Sequence, residues 1–326
     1  MSEVRSRTVY FTGPGSVELR EERVVPSSGQ RLFRSELIGI SCGTELQLYR
    51  NTFPKGAAQD GLASLGERID FPCAYGYMNV AHDENGKRYF AFVPHSTAFA
   101  TTDESLVEIG DLPADEAIFT ANMETALGIV HDAAPRPGEH VLVLGQGVVG
   151  LLVSEILSRL DLVTVYASEP REFRRRAAAS ISQTVLPPES VRAIDSLRAA
   201  TAGRGVDVAV NVSGSADALQ TALDALAFEG RVIEGSWYGD KPIELRLGLD
   251  FHRKRLSIVS SQVTNISGEL RSRWSKDRRL DFVIELLQRV RPSRYITHRI
   301  PIAECDRAFE LIDDPDSPVL QPVLLP

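Results

Sequence analysis

Over residues 1–118 the chain alternates apolar and polar side chains in short runs broken by turn residues. TVYF, VELREERVV, RLFRSELIGI, KRYFAFVP and TAFATT read as strands, with GPGS and PSSG as turns between the early ones. From residue 120 to residue 262 the rhythm changes to strand, helix, strand, helix. HVLVLG leads into VGLLVSEILSRL, LVTVYAS into FRRRAAAS, and GVDVAVNVSG into ADALQTALDALAF; RVIEGSW and RLSIVSSQ are further strands. Apolar strands separated by helices predict a parallel sheet covered on both faces. Ser215 is placed to cap the helix that follows it, and Gly230 to follow that helix's end. The tail holds two helical stretches, RRLDFVIELLQRV and IAECDRAFELIDD, alternating with strand-like RYITHRIP and PVLQPVLLP. Those last strands are expected to return to the first region and make it discontinuous. The expected organisation is α/β, with residues 1–118 and 267–326 forming one domain around a second at 119–266.

A length of 326 residues, with 43% apolar and 25% charged side chains, suits two globular domains. The net charge of −8 comes with no basic stripe, which argues against nucleic acid as a partner. No window approaches the ~18 apolar residues that a membrane helix needs, so no membrane is expected. MSEVRSRTVYF lacks the apolar core of a signal peptide. The three cysteines, Cys42, Cys73 and Cys305, show no CxxC spacing, and a reducing cytoplasm is the simple expectation.

The strongest chemical signal is VLVLGQGVVGLLV, where Gly145, Gly147 and Gly150 form GxGxxG between an apolar strand and a helix. That context is what a dinucleotide site requires. Gly145 permits a tight turn, Gly147 lets a pyrophosphate approach the backbone, and Gly150 lets helix and strand pack closely. The helix then begins at Val148 and Val149, whose amides and positive dipole end face the phosphates. Glu169 lies 19 residues after Gly150, just past LVTVYAS, where an acid can accept both hydroxyls of an adenosine ribose. Close behind come Arg171, Arg174, Arg175 and Arg176, any of which suits a 2′-phosphate. A carboxylate beside a 2′-phosphate is unfavourable, so the expected cofactor is NAD, with NADP the alternative.

Taken with GISCGTEL, GERIDFPCAYGYMNV, GVDVAVNVSGS, GRVIEGSWYG and ITHRIPIAECDRAFELIDD, the glycine unit makes nearly the whole chain resemble the medium-chain dehydrogenase/reductase superfamily. The resemblance implies a GroES-like domain built from both chain ends, a Rossmann domain, an active site in the cleft between them, and dimers or tetramers, of which a homodimer is expected here. Zinc-dependent members hold their catalytic metal on three side chains. Cys42 stands at the first position, but Tyr77 replaces the histidine and Met78 the neighbouring acid. Ala121 or Met123 falls near the third position, with Glu124 out of register. A zinc site needs three protein ligands and an open position. The four cysteines of a structural zinc lobe are also missing from residues 79–115. The expectation is therefore a zinc-independent branch with no metal.

Without a metal, hydrogen-bond donors must polarise a substrate oxygen. By resemblance, Thr44 stands at the proton-relay position, Tyr77 offers a phenol in place of the histidine, and Glu124 opens the helix that passes the nicotinamide. Each has a structural alternative: a turn residue, packing and a helix-terminal charge. His95 is held in reserve as an acid; His298 reads as structural. The resemblance also assigns Thr125 to the nicotinamide, Ser213 and Gly214 to the adenosine side, and Ser236 with Ser260 to Gln262 to the carboxamide. Trp237 and Tyr238 read equally as a substrate wall and as interface residues. The expected activity is hydride transfer between a nicotinamide and a carbonyl or alcohol of a small molecule. The alternatives are C=C reduction, as in quinone and enoyl reductases, and dinucleotide binding without catalysis.

Overall fold

The computed structural model describes residues 3–53, 70–181, 184–186 and 190–326. The chain forms two compact units, Met1–Ala121 with Asp277–Pro326, and Asn122–Lys276.

The first unit opens with a hairpin, β1 (Val4–Gly13) and β2 (Ser16–Val24), in register from Val4↔Val24 to Phe11↔Val17. Gly15 closes the turn at φ 68, a conformation that favours glycine. β3 (Arg31–Gly39) runs into α1 (Thr44–Tyr49). β4 (Cys73–Ala74) adds to the free side of β1. β5 (Asn79–Asp83), β6 (Arg88–Ala91), β7 (Ala98–Thr101) and β8 (Leu106–Glu108) follow, and α2 (Ala114–Ala117) ends this part. β3, β5, β6 and β8 are successive neighbours in the second sheet, with β7 also paired to β3.

α3 (Thr120–Ala133) leads into the second unit. There β9 (His140–Leu144), α4 (Val148–Leu157), β10 (Thr164–Ser168), α5 (Glu172–Ala178), β11 (Thr184–Leu186), α6 (Ser190–Ala200), β12 (Val206–Asn211), α7 (Ala216–Ala225), β13 (Leu226–Glu234), α8 (Asp250–Arg253) and β14 (Ser257–Ser260) follow in turn. The six strands are parallel and lie in the order β11-β10-β9-β12-β13-β14. This is the doubly wound Rossmann order, whose ligand crevice opens at the carboxyl ends of the strands where the winding reverses. Here that point is the end of β9 and β12.

Ser215 caps α7 as its position implies, accepting from the Ala218 amide. The helix itself is shorter than the periodicity suggests. It ends at Ala225, and Leu226 to Phe228 belong to β13, with Gly230 inside the strand and not after a helix. Leu226 pairs with Val206 and is buried, so the sheet captures residues that also fit the helical pattern. Residues 227–230 bulge out before pairing resumes at Arg231↔Val208, and Glu229 turns through φ 57.

The chain ends belong together. After α9 (Lys276–Val290), β15 (Ile296–Pro301), α10 (Cys305–Asp313) and β16 (Gln321–Leu325) complete the first unit. β16 pairs antiparallel with β3, Leu324 opposite Ile38, and the Gln321 amide donates to the Ile40 carbonyl at 2.9 Å. Phe309 of α10 packs edge-on to Phe11 of β1 at 5.0 Å in a core shared with Ile38, Leu48 and Leu324.

Candidate functional site

The second unit carries the glycine turn. Gly145 leaves β9 at φ 90, and its amide donates to the Ser168 carbonyl at the end of β10. A Cβ on Gly145 would stand 2.8 Å from the Ser213 Cα, so the turn packs directly against the loop after β12. A Cβ on Gly150 would stand 1.9 Å from the Gly145 carbonyl oxygen. Gly147 is the N-cap of α4 and has no capping side chain. The first amides of the helix, at Val148 and Val149, are therefore left for a ligand, and both residues are partly exposed. Gln146 turns inward, donating to Val143 and accepting from Ser154, which ties α4 to β9.

Glu169 is only 3% exposed. One carboxylate oxygen accepts from the Gln146 amide at 2.8 Å, the other from the Arg171 amide at 3.0 Å. The acid therefore braces the glycine turn from just past the end of β10. Of the arginines behind it, Arg175 donates to the Glu169 and Pro170 carbonyls and Arg176 pairs with Glu172. Arg174 reaches the turn itself: its Nη1 is the atom nearest to where a Gly147 Cβ would be, at 3.6 Å.

Ser213, Gly214 and Ser236 meet at the carboxyl ends of β12 and β13. Ser236 Oγ accepts from the Gly214 amide at 3.1 Å, and Ser213 donates to Asn211 Oδ1 at 2.7 Å. The sequence reading missed the centre of this network. Glu234 accepts from Asn211 Nδ2 at 2.8 Å, Tyr238 at 3.1 Å and the Ser236 amide at 2.8 Å. The polar residue ending the apolar run RVIE was the available signal. Tyr238 is thus held by the strand ends, and burial, with Glu234 beside it, pushes its phenol pKa up. Ser260 ends β14 exposed, and Gln262 turns its side-chain oxygen to the Thr264 amide at 2.9 Å. Glu124 does not open its helix: α3 begins at Thr120, so Glu124 lies a full turn inside, 3% exposed, with the partly exposed Thr125 after it.

The first unit carries the hydroxyl cluster. Thr44 begins α1, and Tyr77 follows Gly76 on the segment leading to β5. Burial and the nearby Glu45 charge push the Tyr77 phenol up to about 12, while hydrogen bonding from the Ser41 and Thr44 hydroxyls pulls it back. Thr44 and Tyr77 are therefore brought together, and Ser41 joins them. Glu45 is fully buried; one oxygen accepts from the Ser41 amide at 3.0 Å and the other meets His95 Nε2 at 2.6 Å. His95 is no lone packing histidine, and its partner lies 50 residues away, where no local pattern could flag it.

Among the described residues no group of three or more histidine, cysteine and carboxylate side chains is placed to hold a metal ion. Cys42 points its thiol at the Leu320 carbonyl, 3.4 Å away, and a phenol stands where the histidine ligand would be. The glycine turn, by contrast, is built as a dinucleotide needs: a Cβ at Gly145 or Gly150 would collide with backbone, while the approach to Gly147 meets nothing nearer than Arg174 Nη1 at 3.6 Å. Among the described residues no helix is long and apolar enough to cross a membrane.

A family model described as zinc-binding dehydrogenase matches residues 148–280. The chain is 25% identical over 182 residues to an L-threonine 3-dehydrogenase of Caldanaerobacter subterraneus, covering 54% of this chain and 48% of the relative. It is 30% identical over 166 residues to the D-guloside 3-dehydrogenase of Escherichia coli, covering 50% and 47%. In these matches the chain spans about half the length of the curated relatives. An alcohol dehydrogenase of Escherichia coli CFT073, complexed with NADH, shares the fold over 98% of this chain and 99% of its own, with a TM-score of 0.78 at 16% identity. The β-rich unit built from both chain ends is thus GroES-like in fold, the parallel unit is Rossmann, and residues 148–280, almost all of them in that second unit, match the zinc-binding dehydrogenase family.

Proposed function

We propose that this protein is an NAD-dependent, zinc-independent oxidoreductase that moves a hydride between a nicotinamide and the carbonyl or alcohol carbon of a small molecule. The observation that carries the reading is the glycine turn at the winding reversal of the sheet, open at Val148 and Val149 and braced by Glu169. A bound nicotinamide dinucleotide supplies or accepts the hydride. The rest falls to the chain's own residues. The amides of Val148 and Val149 bind the pyrophosphate, with the Arg174 guanidinium beside the turn as counter-charge. Glu169 faces the adenosine ribose and disfavours a 2′-phosphate. Thr125, Ser213, Gly214, Ser236, Ser260 and Gln262 line the remaining cofactor contacts.

Thr44 and Tyr77 handle the proton. In the reductive direction the hydroxyl pair orients the carbonyl, and Tyr77 gives its proton to the oxygen as the carbon receives hydride. In the oxidative direction the alcohol proton leaves by the same hydroxyls. Glu124, buried in α3, is the third catalytic group, an acid or base for the same proton. Tyr77 at the histidine position and the Cys42 thiol's carbonyl partner support a reaction without zinc. A homodimer formed through β14 is supported by that strand's place at the sheet edge and by exposed Ile258 and Val259. The three free cysteines suit the cytoplasm.

The test is NADH and NADPH oxidation with a panel of ketones, enones and quinones, with Thr44→Ala and Tyr77→Phe alongside. Turnover on ketones, lost in both variants, is expected. Cofactor binding with no turnover on any class would leave a dinucleotide-binding protein, and turnover on enones or quinones alone would move the reading to C=C reduction. Metal analysis showing one zinc per active chain would overturn the zinc-independent part.

A further inference from the structure

We propose that the buried His95–Glu45 couple is the positioning device of the hydroxyl pair. The imidazole fixes the Glu45 carboxylate at the foot of α1, and the fixed carboxylate sets how Tyr77 holds its proton beside Thr44. This rests on the reading that Thr44 and Tyr77 transfer the proton.

Both members are 0% exposed, and they meet at 2.6 Å. A carboxylate so buried needs strong donors, because its charge has lost water. Glu45 has two: the Ser41 amide and His95 Nε2. The second imidazole nitrogen, Nδ1, is buried and has no hydrogen-bond partner. A proton on Nδ1 would be an unsatisfied buried donor, whereas a bare Nδ1 only forgoes an acceptance. The ring therefore carries its proton on Nε2, toward Glu45. It is also held from behind. A Cβ on Gly76 would lie 2.5 Å from His95 Nδ1 and Cε1, so the imidazole packs flat against a backbone kept bare for it, with Gly76 at φ 133. The His95 amide and carbonyl are bonded to Tyr75 and Val9.

The couple reaches the hydroxyls through one turn of chain. Glu45 follows Thr44 directly, and its side chain folds back onto the Ser41 amide, so the loop from 41 to 45 is pinned at both ends. Ser41 and Thr44 are the residues whose hydroxyls meet the Tyr77 phenol. Among the described residues, the groups facing that phenol include Glu45, Cys42, Ser41 and Thr44, with Tyr75 edge-on to its ring at 6.4 Å. Glu45 is the carboxylate of that set. Without the His95 donor, the buried Glu45 carboxylate keeps a single donor and is drawn toward water. Tyr77 then loses its anionic neighbour, and Thr44 its anchor.

The experiment compares His95→Leu, His95→Gln and Glu45→Gln in the full chain. Tyr77 is followed by carbon NMR of labelled tyrosine rings, assigned with Tyr77→Phe, as pH is raised. His95→Leu and Glu45→Gln should each move the Tyr77 titration to lower pH, and the double variant no further than either. His95→Gln keeps a donor near the Nε2 position and should restore the parent titration. In turnover, His95→Leu should lower kcat by about 10- to 100-fold through misplaced hydroxyls, with the Kd for NADH unchanged. Nitrogen NMR of the parent should show a protonated Nε2 and a bare Nδ1 on His95. An unshifted Tyr77 titration in His95→Leu, or an imidazolium at neutral pH in the parent, overturns the couple. If His95→Leu fails to fold, Glu45→Gln and the nitrogen spectrum decide: an unshifted titration in Glu45→Gln overturns it equally. A shifted titration in a protein that turns over no substrate leaves the couple standing and removes the proposed function. Turnover with an unshifted titration does the reverse.

Discussion

Gly150→Ala and Gly147→Ala differ by one methyl each and should fail in different ways. At Gly150 the methyl would sit 1.9 Å from the Gly145 carbonyl oxygen, 2.9 Å from its carbon and 3.2 Å from Val212. Real Cβ atoms do not approach closer than 3.0 Å, so about 1.1 Å of separation must be found. The first obstacle is backbone and cannot rotate away, so the start of α4 must move off the end of β9. Overpacking of this kind costs about 1–3 kcal/mol. The amides of Val148 and Val149 move with the helix. Losing one charge-assisted hydrogen bond to a phosphate costs a further ~1.5–3 kcal/mol of binding, which is at least about tenfold in Kd. At Gly147 the methyl meets nothing closer than Arg174 Nη1 at 3.6 Å, and φ is −69. That fold should be untouched, while the methyl occupies the side from which the pyrophosphate approaches. Thermal unfolding and fluorescence titration with NADH read the two effects separately. Gly150→Ala should lose both stability and affinity, Gly147→Ala affinity alone. Parental Tm and Kd in Gly150→Ala, or parental Kd in Gly147→Ala, would refute the reasoning.

Three further outcomes follow from the same geometry. The Tyr77 phenol is raised from about 10 to about 12, so its contribution to stability is fully present below pH 10 and is lost as pH rises toward 12. The stability difference between the parent and Tyr77→Phe, from urea unfolding, should therefore fall by roughly 2 kcal/mol across that window; a difference independent of pH would contradict it. Glu169→Ala leaves the Gln146 and Arg171 amides without their acceptor. It should cost about 1–3 kcal/mol in unfolding and weaken NADH binding more than NADPH binding; tighter NADPH binding in the parent would count against the cofactor choice. Placing lysine at both Ile258 and Val259, which are 36% and 40% exposed on the β14 edge, should give a monomer by sedimentation. A variant that keeps the parent's mass puts the interface elsewhere.

The sequence by itself determined what is local. GQGVVG specifies its own turn, since a glycine at φ 90 and a helix start crowding a carbonyl leave few alternatives. The both-face apolar strands dictate a covered parallel sheet, and Ser215 marks its helix start. Tyr77 and Met78 were legible as departures from the pattern of the resembled zinc-dependent enzymes. The periodicity failed at Leu226 to Phe228, where helix and strand patterns fit the same residues and only pairing with β12 chose between them. It misjudged Glu124 because the start of α3 has no acidic first turn to mark it. What only the tertiary structure decided depends on contacts between distant residues. β16 reaches β3, the Gly145 turn seats on Ser213, and Glu234 gathers Asn211 and Tyr238. His95 finds Glu45 across 50 residues. A buried carboxylate must find donors wherever the fold brings them, and burial is a property of the packed chain that no stretch of sequence carries alone.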